Sequence, residues 1–447
     1  MTLFNEAEAK AILDKVIKLS KADECSANLA GASEGNIRFA RNGVSTSGEV
    51  QDCTLAVTVA YGKRVGTATI GEFDDAALER VVRRAEELAK LAPENPEFMS
   101  VIEKQTYTAS TSFIEATAAI TPDFRAQVAA DCIEPCKADK LVAAGYFVNS
   151  NGFIATANSK GNFGYQKVTS ADLTCTVRTE DERGSGWVSS NVADVALFDA
   201  KRSIRTAISK AKGSAEAKAL EPGKYTVILE PEAASGLISF MLFGFDARQA
   251  DEGRSFLTKK GGGNRVGEKV FDERVNIYSD PWDAEVPVPA WDQEGLARTK
   301  TQIVNKGVVE YLQYSRFWAK QKDKQAVGQP GNIIMQGGEA TTEELIKQTK
   351  RGVLLTRTWY IRMVDPQSML LTGLTRDGTF YIEDGEIKYP VKNFRFNESP
   401  VIMLNNIEAL GKSVRLAGGG GGGGGLLLKM PSMKVRDFTF TSLSDAV

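Results

Sequence analysis

The sequence predicts an α+β fold in two domains: N-terminal helices with an antiparallel sheet (residues 1–215), and a strand-rich, barrel-like C-terminal domain (residues 216–447). Three observations favour this fold. A length of 447 residues is enough for about two or three domains. In the first half, segments with apolar residues at helical spacing alternate with strand-like segments. In the second half, turn signals separate many short strand-like segments.

The first half is predicted to open with a helix over residues 6–19, where apolar side chains recur at helical spacing. Asp74 is a suitable N-cap for a second helix, and Thr121 followed by Pro122 is a favoured start for a third. The predicted strands are residues 36–45, 54–61, 64–70, 141–148 and 163–178. A basic helix over residues 200–212 follows, and the small, polar stretch 213–223 is the predicted domain boundary.

The second half is predicted to begin with a buried strand at residues 224–229. Pro231 suits the first turn of an apolar helix, which should pack inside over residues 233–245. Further along, Asp377-Gly378 and Asp384-Gly385 indicate hairpins in an antiparallel sheet or partial barrel.

One helix is predicted to interrupt these hairpins. Thr341 and Glu344 can form a capping box, and Leu345 and Ile346 should face inward. Gly352 is placed where a left-handed C-cap would end the helix.

Residues 418–425 are eight consecutive glycines. Such a run has no side chain to bury and maximal backbone entropy, so it should form a disordered connector. An alternative interpretation is that the glycines are placeholders for side chains that were not identified. In that case the absence of histidine from the sequence would be weaker evidence.

Composition excludes several classes of protein. Lys and Arg number 55 against 57 Asp and Glu, so no basic excess favours nucleic acid as a partner. The sequence contains no histidine, which excludes Ser-His-Asp hydrolysis and HExxH-type zinc sites as written. The five cysteines are scattered and odd in number, so we expect buried thiols and no disulfide framework. Cys132 and Cys136 could share a helix face, but no second ligand pair follows them.

The sequence also predicts a cytoplasmic protein that does not enter a membrane. The apolar stretch at residues 233–245 is shorter than the roughly 20 residues that a membrane-spanning helix needs. The first residues mix acidic with apolar side chains and lack the order of a secretion signal.

Two motifs suggest chemistry but fit it poorly. The glycine-rich residues 261–269 do not satisfy the phosphate-loop pattern, so a turn-forming loop is the favoured interpretation. Ser209 and Lys212 have the spacing of a Ser/Lys nucleophile pair, but they lie in a basic helix that should be solvated.

Arginines recur beside aromatic residues in the second half. Guanidinium groups can grip a carboxylate with two hydrogen bonds or stack on rings, so this set could bind a peptide terminus or acidic side chains. The alternative is internal ion pairing with Asp251, Glu252, Asp365 and Asp377, because acids lie within a few residues of most of them. The candidate peptide-binding residues are Arg254, Arg316, Arg357, Arg362 and Arg376.

At these segments the chain resembles the TldD/TldE (PmbA) family, formerly called modulators of DNA gyrase. The resemblance is carried by EGRSF, YSRFWAK, GEATTEELIKQTKRGVLLT, TGLTRDGTFYIEDGEIKYPVKNFRFNES and VRDFTFTSLSDAV. It implies a two-domain α+β fold and a two-subunit zinc metalloprotease that degrades unstructured peptides and removes leader peptides. In that pair, the TldD subunit carries zinc on an HExxxH helix.

This sequence departs from TldD at the metal-binding helix. The corresponding place reads EPEAASGLISFMLFGFDARQ, and residues 239–245 supply no imidazole, thiolate or carboxylate. TldD also takes a C-terminal cysteine to its metal, whereas no cysteine follows Cys175 here. The resemblance is therefore to the metal-free TldE/PmbA subunit, with no catalytic or metal-binding residues and no cofactor in this chain. It implies a TldD-like partner that holds the zinc, in a heterodimer that processes unstructured peptides.

Two alternatives remain open at this point. The chain could be a self-sufficient metalloprotease with atypical or mis-recorded ligands. It could instead be a regulatory binding protein that acts on another assembly such as gyrase.

Overall fold

The computed structural model describes residues 3–416 and 426–444, so the glycine run at 418–425 lies outside the described residues. Residues before 215 form one sheet and its covering helices. These elements are α1 (Glu6–Leu19), β1 (Glu24–Ala40), β2 (Gly43–Tyr61), β3 (Arg64–Ile70), α2 (Asp75–Leu91), α3 (Glu115–Ala118), α4 (Pro122–Ala138), β4 (Leu141–Asn158), β5 (Phe163–Thr179), β6 (Ser185–Val192), a 3₁₀ turn (Val195–Leu197) and α5 (Ala200–Ser214).

The first sheet is antiparallel throughout, with strand order β3-β2-β1-β4-β5-β6. Its core consists of two apolar clusters. Helices α1 and α2 pack against Leu29, Leu55 and neighbouring strand residues, and α4 and α5 pack against Phe147, Leu173 and their neighbours. The predicted helices over one antiparallel sheet are therefore confirmed.

Residues after 222 form a second, strand-rich assembly. Its elements are β7 (Gly223–Leu229), α6 (Pro231–Leu242), α7 (Ala247–Asp251), β8 (Ile277–Ser279), β9 (Thr301–Asn305), β10 (Val308–Val309), α8 (Arg316–Gln321), β11 (Asn332–Met335), α9 (Thr342–Lys347), β12 (Arg351–Asp365), β13 (Leu370–Glu383), β14 (Glu386–Pro390), β15 (Phe394–Glu398), α10 (Pro400–Asn405), β16 (Ile407–Leu416) and β17 (Leu427–Leu443).

Five of these strands close into a ring. Strand β7 pairs with β12, β12 with β13, β13 with β15, β15 with β17, and β17 returns to β7. This ring confirms the barrel-like expectation. It is not purely antiparallel, because β7 and β12 form a parallel pair, and outside the ring β11 also pairs in parallel with β17. The division at residue 215/216 lies between α5 and β7 and stays a prediction as a domain boundary.

Local capping signals were good predictors of helix starts. Asp74 and Thr121 cap α2 and α4 with their side chains, and Pro231 occupies the first turn of α6. Thr341 and Glu344 form the predicted capping box of α9. The helices at 6–19 and 200–212 are also confirmed, the latter extending to residue 214.

Other details differ from expectation. The predicted strand at 36–45 crosses a hairpin, because Arg41 and Asn42 adopt left-handed φ values of 52° and 59° and turn the chain between β1 and β2. Gly352 is not a helix cap. It lies in β12, where an added Cβ would be 2.7 Å from the Thr226 carbonyl oxygen, so glycine permits close approach to β7.

The helix predicted over 233–245 ends earlier, at Leu242. Phe243 is 71% exposed and does not pack inside as predicted, whereas Phe245, beyond the end of the helix, is buried in the core. The expectation of one interrupting helix was also too low, because α7, α8 and α10 are further short helices in the second half.

The two motifs that fitted chemistry poorly have the non-catalytic structures predicted for them: a turn-forming loop and a solvent-exposed helix face. Residues 261–269 form a loop in which Gly261, Gly262, Gly263 and Gly267 have positive φ, without a following helix. Ser209 and Lys212 are exposed on α5, and Lys212 forms an ion pair with Asp139.

All five cysteines are free and buried. Burial raises the pKa of Cys25 to about 11 and that of Cys136 to about 12. In the part of the chain that the structure describes, no helix is long and apolar enough to cross a membrane.

Substituting Gly66 in β3 tests the packing of the first sheet. An added Cβ would lie 2.3 Å from the backbone of Ala85 and Ala89 in α2, whereas one at Gly48 meets nothing within 4 Å. We expect Gly66→Ala to lower the free energy of unfolding by about 1–3 kcal/mol and Gly48→Ala to change it by less than about 0.5 kcal/mol. Urea unfolding measures both; equal effects would contradict the described contact between α2 and β3.

Candidate functional site

Helix α6 is the element where the resemblance puts the metal of the catalytic subunit. It follows β7 directly and buries Ala233, Leu237, Ile238 and Met241 completely against the ring. Gly236 lets it approach β12, because an added Cβ would lie 2.5 Å from Thr358 Oγ1. The helix is therefore packed closely and rigidly against the ring.

The side chains of α6 do not fit a zinc ion. Phe240 and Phe243 form an edge-to-face pair with ring centroids 6.0 Å apart at its end, and neither carries a ligand atom. Across residues 3–416 and 426–444, no three Cys, Asp or Glu side chains are placed to hold a metal. Because the sequence also lacks histidine, the ligands that zinc prefers are missing here.

An arginine–tryptophan cluster lies beside α6, consisting of Trp187, Arg357, Trp359, Arg376 and Asp377. Arg357 and Arg376 are directly opposite each other on β12 and β13. The Arg357 guanidinium contacts the faces of both Trp187 and Trp359, at 4.0 and 4.6 Å from the ring centroids. The Arg376 guanidinium is 5.0 Å from the Trp359 ring. Two of the predicted binding residues therefore share one site.

A bulge in β13 brings the acid of this cluster inward. Asp377 and Gly378 were predicted to form a hairpin turn, but they lie inside β13 with φ values of 58° and 123°. The strand pairing skips a residue there. The buried Asp377 carboxylate accepts a hydrogen bond from Ser185 at 2.7 Å and one from Arg357 at 3.1 Å.

The two arginines are not equivalent. Arg376 Nε is 4.0 Å from the Asp377 carboxylate, beyond hydrogen-bond distance, and its side chain is 24% exposed. Arg376 therefore keeps more hydrogen-bonding capacity for a bound group than Arg357 does. A carboxylate held by such a guanidinium would form charge-assisted hydrogen bonds.

The N-terminus of α6 adds a further acid to this site. Glu232 accepts a hydrogen bond from the Ser189 hydroxyl on β6. Burial raises the pKa of Glu232, while the Ser189 hydrogen bond and the charge of Arg357 act in the opposite direction. Beside it, Lys210 of α5 forms an ion pair with Glu230 at 2.5 Å. Elements from both halves of the chain thus meet here.

The other three predicted arginines lie apart from the cluster. Arg254 is exposed and pairs with Glu252. Arg316 pairs with Glu294 and donates to the Ser100 carbonyl, beside a separate cavity of about 490 Å³. Arg362 stacks on Tyr360 at 4.1 Å and donates to the Ile361 carbonyl.

The ion-pairing alternative is correct for two of its four acids. Glu252 pairs with Arg254, and Asp377 pairs with Arg357. Asp251 instead contacts Lys322 and Trp318, and Asp365 accepts hydrogen bonds from Gln367 and Ser368 in its own turn. Pairing does not exclude binding, because Arg357 and Arg376 remain partly exposed.

Sequence reasoning missed a second polar site. A cavity of about 820 Å³ lies against the first sheet, and its lining includes Asp172, Asn191 and Arg415. The Asn191 amide donates to Asp172, and its oxygen accepts from Arg415 Nε at 2.7 Å. Burial lowers the pKa of Arg415 to about 10. These residues are too far apart in sequence to form a motif.

Comparison with known protein families accounts for most of the chain. The PmbA/TldA metallopeptidase domain 1 matches residues 31–89, the central domain matches 115–215, and the C-terminal domain matches 222–442. The chain belongs to the PmbA/TldD family. The resemblance inferred from the sequence is therefore confirmed.

Individual PmbA/TldD proteins show how far the similarity extends. The metalloprotease PmbA of Escherichia coli O157:H7 is 22% identical over 424 residues, covering 88% of this chain and 90% of PmbA. A metalloprotease of Methanothermobacter thermautotrophicus is 29% identical over 209 residues, and the match spans only 44% of that relative. The crystal structure of TldE from Thermococcus kodakarensis superposes with a TM-score of 0.87 at 17% identity, covering 97% of this chain and 99% of TldE. The fold is TldE-like.

Removing one or both charges of the Arg357–Asp377 pair tests how much this pair contributes to stability. Arg357→Met leaves the Asp377 carboxylate buried without its main cation, so we expect a loss of about 2–4 kcal/mol of unfolding free energy. The double variant Arg357→Met/Asp377→Asn should regain most of that loss, because it removes the unpaired charge.

Chemical denaturation of both variants and of Arg254→Met checks this. The Arg254 side chain is 57% exposed in its pair with Glu252. Arg254→Met should therefore leave the unfolding midpoint unchanged. A double variant no more stable than Arg357→Met would show that the buried carboxylate is not the source of the cost.

Proposed function

We propose that this chain is the non-catalytic, TldE/PmbA-like subunit of a zinc metalloprotease that degrades or processes unstructured peptides in the cytoplasm. The observation that supports the proposal is the C-terminal end of α6, where Phe240 and Phe243 lie at the place to which the resemblance assigns the metal ligands of a catalytic subunit. A TldD-like partner would hold the zinc and supply the reaction. This chain would contribute binding surface and shape.

The partner would need a surface on this chain, and α6 offers apolar material for one. Phe243 is 71% exposed, and Tyr360 at the bend of β12 is 63% exposed. Exposed aromatic side chains of this size are typical of interface cores. We infer that the partner covers this region, so that the two subunits enclose a chamber.

Within such a chamber, extended peptides would be held by two kinds of contact. Strand addition gives affinity through backbone hydrogen bonds without demanding a sequence. In the described part of the second sheet, β14 and β16 each pair with one strand, and only short loop segments at Lys218 and Ala340 contact part of their other edges. Arg376 and Arg357 would bind acidic side chains or a terminal carboxylate. Arg254, Arg316 and Arg362 would take part only where the partner completes the chamber around them.

The first experiment compares the isolated chain with the pair. We expect the purified chain to bind no stoichiometric zinc and to cleave no casein, because α6 offers one carboxylate, Glu232, and no histidine or cysteine. Co-expression with a TldD-like partner should give a stable complex whose casein cleavage is lost to a chelator. Near one zinc per isolated chain, with chelator-sensitive activity, would instead establish the self-sufficient protease.

A second experiment asks whether Arg376 contacts substrate. We expect Arg376→Gln to lower the turnover of acidic unfolded peptides by the complex several-fold while leaving its melting temperature unchanged, since Arg376 lies 4.0 Å from Asp377. Arg84→Gln, at an exposed pair on α2, is the matched control. A lower melting temperature with unchanged specific activity would assign Arg376 a structural role only.

A further inference from the structure

The outer edge of β2 is a long strand edge without a neighbour. Strand β1 pairs with nearly the whole of β2, whereas β3 pairs only with residues 55–61 of β2. Within the described residues, no strand is hydrogen-bonded to the other side of residues 43–52. All ten of these residues are exposed. At about 3.3 Å per residue they present an edge of roughly 33 Å.

This edge lacks most of the features that usually protect one. The segment GVSTSGEVQD contains no Lys, Arg or Pro, and two exposed valines, Val44 and Val50, accompany its small polar residues. The bulge between β1 and β2 lies at the hairpin end, opposite Arg38 and Phe39, and leaves residues 46–52 in a regular ladder. A free, regular edge of this kind is a template for pairing with another strand.

The edge is also held in place from behind. Arg125 of α4 is 3% exposed, and its guanidinium donates to Asn149 at 3.1 Å and to Glu49 of β2 at 3.2 Å. Gly35 makes room for it, because a Cβ there would lie 1.9 Å from Nη1. A buried cation thus fixes the middle of the edge strand, so the edge is formed before anything binds.

We propose that residues 43–52 dock an edge strand of the folded partner subunit and extend the first sheet across the interface. This inference rests on the proposed function, because it requires such a partner. A flexible peptide is a poorer occupant of this edge, because residues 43–52 include none of the arginines assigned above to peptide binding and the peptide would lose conformational entropy along the whole edge. A strand already ordered in a folded subunit avoids that cost.

The charge of the edge selects the chemistry of the partner strand. Glu49 and Asp52 are the charged residues of the segment, and both are acidic; Glu49 is paired with Arg125, but its side chain is still 55% exposed. Opposite charges directly across strands stabilise pairing, whereas like charges oppose it. The docking strand should therefore carry Lys or Arg opposite them.

Proline substitution at two adjacent residues provides the test. Neighbouring residues of a strand direct their N–H groups to opposite sides, so one of Val50→Pro and Gln51→Pro removes a donor from the free edge and the other breaks the ladder with β1. We expect the first to weaken binding of a TldD-like partner about tenfold or more at an unchanged melting temperature. The second should lower the melting temperature.

A charge pair and a control complete the experiment, with Kd for the partner measured by biolayer interferometry. Thr46→Lys should weaken binding and Thr46→Glu should not, while Thr69→Lys on β3 should have no effect. Unchanged Kd for both proline variants, with wild-type binding intact, would overturn this inference and leave the proposed function standing. No binding by the wild-type chain would overturn both. A self-dimer of the isolated chain lost in one proline variant would make a second copy the occupant and refute the partner assignment.

Discussion

Closure of the five-stranded ring by β17 is the constraint on which the second half depends. That strand pairs with β7, β11, β15 and β16, so four separate segments take their places from one stretch of 17 residues. Helix α6 follows β7 and packs on the ring, and its orientation is therefore set by the same closure. The ring bends at Asp437, where the pairing with β7 shifts and φ is 57°. A rigid framework of this kind positions α6 whether or not the helix carries a metal.

The arginine–tryptophan cluster shows how strand register and local backbone chemistry combine. Cross-strand pairing sets two guanidinium groups opposite each other, which alone is unfavourable. The bulge at Asp377 and Gly378 offsets this by turning a carboxylate inward, and the indole faces of Trp187 and Trp359 cover the cations. Because Trp187 belongs to the first sheet and the arginines to the second, the cluster also ties the two halves together.

Features decided by a few neighbouring residues were predictable from the sequence. The caps at Asp74, Thr121 and Thr341 each satisfy backbone groups within the next turn, so their helices could be placed from local patterns alone. The Asp377-Gly378 pair does adopt the left-handed backbone that it favours, but only its neighbours β12 and Ser185 decide that it forms a bulge and not a turn. The sequence suggested Arg357 and Arg376 separately, and the hairpin brings them together. It could not suggest Asp172, Asn191 and Arg415, whose meeting depends on how the two sheets pack.

The buried cysteines make this chain a convenient host for spectroscopic probes. Alkylating reagents attack the thiolate, and all five native thiols are shielded from solvent, with several pKa values well above neutral pH. A single cysteine introduced on an exposed strand would therefore react in preference to them, without prior removal of the native residues. Two cysteines introduced in this way, one on each sheet, would carry spin labels or fluorophores that report the distance between the two sheets.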